Sequence, residues 1–217
     1  MLSFLRRGDV ERTNDANNNP VIYEHGTSSV LYHPPNSKAA MTHTIPPTSI
    51  HNGVSVIQPP FHFHVYQTET FTVQSGVGHF FRGIDPHVWK ILSAKPGAEK
   101  SATVGSCIYH RFENASKTEN LVIDIGFDPD NYEEEQRFFR NFFGYLNDCK
   151  RIKKEPSFFQ LIVFLHSNNT PLALPAPNHT LGIWMRMVFM FFASFWGRWI
   201  LGYRTTYSEY YQPRKSI

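Results

Sequence analysis

Residues 59–76, PPFHFHVYQTETFTVQSG, constrain the fold of this chain more than any other stretch. Side chains alternate between the two faces of a β-strand, so His62 and His64 point to one face. Glu69 has the opposite parity, and its carboxylate reaches that face only if the chain bends near residues 67–68. Two imidazoles and a carboxylate that converge are candidate ligands for a divalent metal. The pattern therefore predicts a bent β-segment with a metal site on its inner face.

A fourth candidate ligand lies downstream, in the β-like run GSCIYHRFEN, where Asn114 follows four residues after His110. The spacing His-x-His, four residues, Glu, six residues, Gly resembles the first motif of the cupin family, and His110 with Asn114 resembles the second. The resemblance implies a mainly β fold, a single cupin jelly-roll β-barrel with a C-terminal helical extension. It also implies that His62, His64, Glu69 and His110 hold a divalent metal.

The second motif departs from the family pattern in the turn before its histidine. Gly105 stands where proline is usual, and Cys107 stands where glycine is usual. Gly105 itself offers a position at which the backbone can adopt φ > 0. The two cysteines of the chain, Cys107 and Cys149, are too few for a disulfide framework, which favours a reducing compartment.

Changes in composition divide the chain into four parts. Residues 1–20 are polar and rich in asparagine, so we expect a disordered arm. The barrel is expected over residues 21–128, where short β-like runs alternate with proline and glycine. A helical extension is expected over residues 129–203, with an aromatic-rich hydrophobic helix near residues 181–201. A tail, residues 204–217, follows.

Two helices are expected before the hydrophobic one. The first covers residues 130–151, where acidic residues in the first turn and basic residues in the last complement the helix dipole. The second begins at Pro156, a favoured first position, and is apolar on nearly every side. The apolar stripe of the first helix consists of Phe138, Phe139, Phe142, Phe143 and Leu146.

Residues 181–201 approach the ~20 residues that a helix needs to cross a bilayer, although two arginines interrupt them. At helical spacing they form two faces. Three arrangements stay open: membrane contact by spanning or by lying in the interface, packing against the barrel, and a homodimer interface. The aromatic face comprises Trp184, Met185, Val188, Phe189, Phe191, Phe192, Phe195, Trp196 and Trp199. The opposite face comprises Gly182, Arg186, Ala193, Ser194, Gly197 and Arg198.

Charge and the N-terminal residues restrict partners and location. The net charge of +3 is too small to indicate nucleic-acid binding. Arg6 and Arg7 interrupt the first apolar residues, so a secretory signal is not expected. We expect an intracellular protein that is not secreted, either cytoplasmic or attached to a membrane.

The ligand set indicates the class of chemistry. Three histidines and a glutamate suit Fe(II), Mn, Ni, Zn or Cu, with positions open for water or substrate. The resemblance implies an Fe(II) oxygenase, because this ligand set is frequent among the oxygen-using members of the family. A single barrel with a metal and an aromatic-rich interior indicates a small, largely apolar organic substrate, and the chain is similar to small single-domain RmlC-like cupins of fungal biosynthetic pathways. A redox-neutral isomerase, cyclase or dehydratase and a non-catalytic ligand-binding cupin are the alternatives. Tyr66 and His79 are the candidates for acid–base catalysis.

Overall fold

The computed structural model describes residues 10–51, 53–83, 85–172 and 179–213. Contacts between Cα atoms divide the chain into two compact units. The β unit extends from Asn19 to Tyr132. The described residues before Asn19 and those from Glu133 onward form the second, the helical unit.

The β unit consists of two antiparallel sheets, which confirms the predicted mainly β jelly-roll fold. The described strands are β1 Val21–Tyr23, β2 Ser28–Tyr32, β3 Met41–Ile45, β4 Thr68–Ser75, β5 Val77–Arg82, β6 Lys90–Ser93, β7 Ser101–Val104, β8 His110–Asn114 and β9 Leu121–Asp128. The larger sheet has the strand order β1-β2-β3-β9-β4-β7, and the smaller has the order β6-β5-β8.

Alternation along the strands decides which side chains enter the interior. On β4 the alternation buries Glu69, Phe71 and Val73, while the intervening threonines are partly exposed. On β8 it buries His110 and Phe112. The inward faces of both sheets are therefore apolar and aromatic, apart from the polar groups that form the site described below.

The helical unit contains the three expected helices. Helix α1 spans Tyr132–Arg151, and α2 spans Phe158–Ser167, two residues later than the predicted start at Pro156. Helix α3 spans His179–Phe195, and a π-helical turn, Trp196–Ile200, continues it.

The segments flanking the helices are bound to α1 through a buried carboxylate. Asp148 is fully buried and accepts hydrogen bonds from the Thr13 amide (2.8 Å), the Thr13 hydroxyl (2.6 Å) and the Tyr210 hydroxyl (2.6 Å). Hydrogen bonds therefore attach Thr13, in the predicted arm, and Tyr210, in the predicted tail, to α1. The physical reason is that a buried carboxylate requires donors, and these segments supply them. Residues 1–9 and 214–217 lie outside the described residues.

His43 is an ionisable group inside the β unit. It is 2% exposed on β3, its Nε2 lies 3.1 Å from the Met41 sulfur, and its ring bonds to the backbone of Ile57. Burial lowers the pKa of His43 to about 4, although the negative charge of Glu69 and the Ile57 bond act in the opposite direction. His43 is therefore neutral at neutral pH.

The turn between β4 and β5 depends on a glycine. Gly76 has φ +81°, a conformation that side chains disfavour, and a Cβ there would lie 2.4 Å from the carbonyl oxygen of Asn120. Gly97 has a similar φ of +78° but no atom within 4 Å of its would-be Cβ. Alanine substitutions at Gly76 and Gly97 therefore distinguish the cost of steric overlap from the cost of positive φ alone.

We expect Gly76→Ala to lower the free energy of unfolding by roughly 2–5 kcal/mol, because the methyl group adds overlap with a backbone atom to the cost of positive φ. The matched control, Gly97→Ala, has only the backbone cost of about 1 kcal/mol. Urea unfolding of both variants measures the two losses. Equal losses would contradict the close approach of Gly76 to Asn120.

The buried neutral His43 predicts a loss of stability in acid. Its folded-state pKa lies below the unfolded value, so the unfolded state binds more protons between pH 6.5 and 4, and stability falls as the pH drops through that window. His43→Gln should reduce this loss by up to roughly 3 kcal/mol, whereas the exposed His51→Gln should not change it. Urea unfolding across the window measures the difference in metal-free protein. A His43 titration midpoint near 6.5 by NMR would refute the burial effect.

Candidate metal centre

Main-chain hydrogen bonds bring the two sequence motifs together. The His62 amide donates to the His110 carbonyl (3.1 Å), and the His110 amide donates to the His62 carbonyl (2.9 Å). The Cys107 amide donates to the His64 carbonyl (2.7 Å). The chain bends at residues 65–66, slightly earlier than predicted. The bend turns the segment that follows, so that Glu69 faces the same side as His62 and His64.

The bend directs the carboxylate of Glu69 toward three imidazoles. Its Oε2 lies 2.6 Å from His110 Nε2, 3.2 Å from His64 Nε2 and 3.8 Å from His62 Nε2. One ligand atom from each of the four residues lies within 4.8 Å of all the others, and all four side chains are buried. The structure therefore brings together all four residues that the motifs predict as ligands.

Backbone carbonyls fix the orientation of two of these rings. The Nδ1 atom of His62 lies 3.0 Å from the Pro60 carbonyl oxygen, and that of His110 lies 2.8 Å from the Ile108 carbonyl oxygen. A carbonyl only accepts, so each Nδ1 carries a proton, and Nε2 is the ring atom that faces the centre. Ligand histidines in metal sites are held in this manner.

The protonation states suit a divalent cation. Burial alone would raise the pKa of Glu69, but the charge of His64 and hydrogen bonds from His110 and His64 outweigh it, so this pKa lies far below its usual range. Burial, followed by repulsion from His110 and His64, lowers the pKa of His62 to about 3 against the attraction of Glu69. An ionised carboxylate and a neutral His62 imidazole are the forms that ligate metals. The donor set therefore fits a divalent transition metal.

The turn that leads into His110 uses an unexpected residue for its left-handed backbone. Cys107 has φ +59°, while Gly105, the residue predicted for this role, is not among the residues with positive φ. Cys107 occupies the position that is glycine in the family pattern, and its thiol lies 3.5 Å from the Val65 carbonyl oxygen. The main-chain bond from Cys107 to His64 holds the turn in this conformation, so His110 reaches the centre despite the substitution.

The two residues predicted for acid–base catalysis do not join the cluster. His79 pairs with Glu113 across β5 and β8, so both lie on the face opposite to His110, and their side chains are 3.9 Å apart. The side chain of Tyr66 is 68% exposed in the loop before β4. Neither hydrogen-bonds to a ligand among the described contacts. The face of His79 follows from the β5–β8 register, which the sequence motifs do not specify.

His43 is a residue of the barrel interior that the motifs do not identify. Its charged form interacts with Glu69, which indicates that the two groups share the interior of the β unit. The signal that identifies it is the period-two pattern in MTHTI, where Met41, His43 and Ile45 are buried and the intervening threonines are half-buried.

Aromatic side chains lie around the centre. The Phe71 ring lies 6.0 Å from the His110 ring within a cluster of buried aromatic side chains. The ring of half-buried Phe127 lies 5.2 Å from the His64 ring. Any ligand of the centre would therefore contact aromatic rings. The buried cluster consists of Phe71, Phe80 and Phe112.

Comparison with known proteins gives relatives of fungal origin, although no family model matches the chain. The probable oxidoreductase virH of Hypocrea virens is 31% identical over 175 residues, which cover 79% of this chain and 75% of that protein. The epoxidase atD of Aspergillus terreus is 28% identical over 70% of this chain, which spans only 46% of the epoxidase. Among solved structures, the cupin domain of Drosophila melanogaster CENP-C matches 55% of this chain and 86% of its own, with 11% identity and a TM-score of 0.36.

The relationship to virH extends over most of both chains, well beyond the ligand motifs. The sheets have the jelly-roll arrangement, and both cupin motifs contribute side chains to one buried cluster. This chain therefore belongs to the cupin superfamily and, within it, to the group of fungal proteins that includes the probable oxidoreductase virH.

Proposed function

We propose that this protein is an Fe(II)-dependent oxygenase acting on a small, largely apolar organic substrate of a fungal biosynthetic pathway. The observation that carries the proposal is the convergence of three imidazoles and one ionised carboxylate in a buried site. The names of the relatives, a probable oxidoreductase and an epoxidase, support oxidative chemistry. Their fungal origin supports the pathway class and the expected intracellular location.

The four side chains of His62, His64, Glu69 and His110 would hold the metal. When bound, Fe(II) supplies the electrons and the open coordination positions that O2 activation needs. The protein's own contribution is to fix its ligands, because carbonyl oxygens hold two of the rings and a reciprocal main-chain bridge joins the two motifs. This preorganisation avoids the cost of assembling the site during turnover.

The surroundings of the centre favour an apolar substrate. Three buried phenylalanines and half-buried Phe127 lie around the centre, so a substrate bound there would contact aromatic rings. Burial also excludes water, which protects a reactive centre from side reactions.

Metal content tests the ligand assignment. Purified protein should contain about one divalent metal per chain, and Glu69→Gln or His62→Ala should lower its metal affinity by at least ~100-fold, since each removes a ligand from the inner shell. His79→Ala is the matched control, because His79 lies on the outward face. Elemental analysis after dialysis measures occupancy. Equal loading of all variants would show that the metal binds elsewhere.

Nitric oxide tests for an open position on Fe(II) before any substrate is known. The Fe(II) protein should give the electron paramagnetic resonance signal of an Fe(II)–nitric oxide complex, since nitric oxide binds where O2 would. His62→Ala should abolish the signal and His79→Ala should retain it. A loaded Fe(II) protein without this signal would contradict an O2-accessible centre.

Oxygen dependence separates the oxygenase from its alternatives. Conversion of a candidate pathway intermediate by the Fe(II) protein should stop under anaerobic conditions, and ¹⁸O from ¹⁸O2 should appear in the product. Conversion at full rate without O2 would establish a redox-neutral isomerase, cyclase or dehydratase, with the metal as Lewis acid. Binding without turnover under either condition would indicate a ligand-binding cupin.

A further inference from the structure

The helical unit carries a broad aromatic surface on α3 and the π-helical turn that follows. At helical spacing its members cover an arc of about 160°, and each is roughly half exposed or more. Exposed apolar residues on an ordinary protein surface are scattered singly, whereas these form one contiguous patch of the kind that marks an interaction site. We define the aromatic surface as Leu181, Trp184, Met185, Phe189, Phe191, Phe192, Phe195, Trp196 and Trp199.

The opposite face of the same helix packs inside the unit, although it carries the small and polar residues. Arg186, Ala193, Ser194 and Gly197 are buried, whereas Arg198 at the edge of this face is exposed. A Cβ on Gly197 would lie 2.9 Å from a methyl carbon of Val163 on α2, so the two helical segments approach closely there. This orientation is the reverse of that expected for a helix in water, where the arginine faces solvent and the aromatic rings face the core. It is the orientation expected if an apolar medium covers the aromatic surface.

A second helix and a set of basic residues adjoin this surface. Phe158 at the start of α2 is exposed, and its ring lies 6.2 Å from that of Phe189. Lys150, Arg151 and Lys153 are exposed just before α2. Arg198 is exposed on the π-helical turn itself, with its guanidinium carbon 5.9 Å from the Trp199 ring, so positive charge lies beside the aromatic surface.

We propose that the aromatic surface inserts into the interface of an anionic lipid bilayer, with the basic residues at the level of the headgroups. Tryptophan is enriched at membrane interfaces, and three of the four tryptophans of the chain belong to the surface. A second copy of the chain would offer the same positive charge, whereas anionic lipids complement it. The proposal is independent of the proposed enzyme function.

The helix lies in the interface and does not span the bilayer alone. Thr180–Ile200 is long and apolar enough to cross a membrane, but a third of it is buried within the protein. The buried face includes Arg186 and packs on α2, which has only ten residues and is too short to cross alongside it. One exposed face is the geometry of an interfacial helix.

Tryptophan fluorescence of the full-length protein tests the insertion directly. In a Trp89→Phe variant, the remaining tryptophans all belong to the aromatic surface. Vesicles of phosphatidylcholine with phosphatidylserine should shift its emission to shorter wavelength, and brominated lipids should quench it. Pure phosphatidylcholine vesicles should act more weakly, and added salt should reduce the difference. An unchanged emission spectrum with the anionic vesicles would overturn the proposal.

Vesicle flotation with matched variants identifies the residues responsible. Trp184→Ser with Phe192→Ser should weaken binding at least tenfold, while Ile22→Ser with Ile91→Ser, exposed apolar residues of the β unit, should not. Lys150→Gln and Lys153→Gln should each weaken the affinity for anionic vesicles roughly fivefold. A dimer that the serine pair dissociates, with no vesicle binding by the parent, would assign the aromatic surface to a second copy. Metal content is unaffected in every case, so failure here leaves the enzyme proposal intact.

Discussion

The buried carboxylate of Glu69 is the constraint on which the centre of the β unit depends. An isolated carboxylate in an apolar interior is so unfavourable that it normally takes up a proton instead. Glu69 does the opposite, because His64 and His110 lie close enough to hold its pKa far below the usual range. Partners must therefore be present at this position on β4, and the rest of the local structure serves to supply them.

Main-chain hydrogen bonds place these histidine partners beside Glu69. The segment with His62 and His64 is not a regular strand, and it is fixed by bonds to β8 and to the turn at Cys107. Each bond is main chain to main chain, so the geometry tolerates changes of side chain in the turn. This explains why a cysteine with positive φ can replace the usual glycine: the conformation is imposed from both sides, and the local cost of about 1–3 kcal/mol is offset by the bonds it permits.

The sequence predicts the fold and the members of the buried cluster well, because both depend on period and spacing. A pair of histidines two apart, a glutamate after a bend and a distant histidine identify the four candidate ligands without knowledge of the sheet order. The face of His79 is different, because it depends on which strand pairs with β5 and in which register. The attachment of residues 10–18 is equally non-local, since the carboxylate that binds them lies on α1.

Helix α3 shows a second limit of prediction from pattern. Helical periodicity separates an aromatic face from a face of small residues, but it does not determine which face packs inside. Small residues allow the close approach of two helices, and here Gly197 brings the chain against Val163. Once that face is chosen for packing, the bulky aromatic rings must point outward, and Arg186 must be buried with the small residues. In water, each Å2 of exposed apolar area lacks about 25 cal/mol of burial free energy. An apolar phase that covers the aromatic rings would supply this free energy, which packing inside the unit does not.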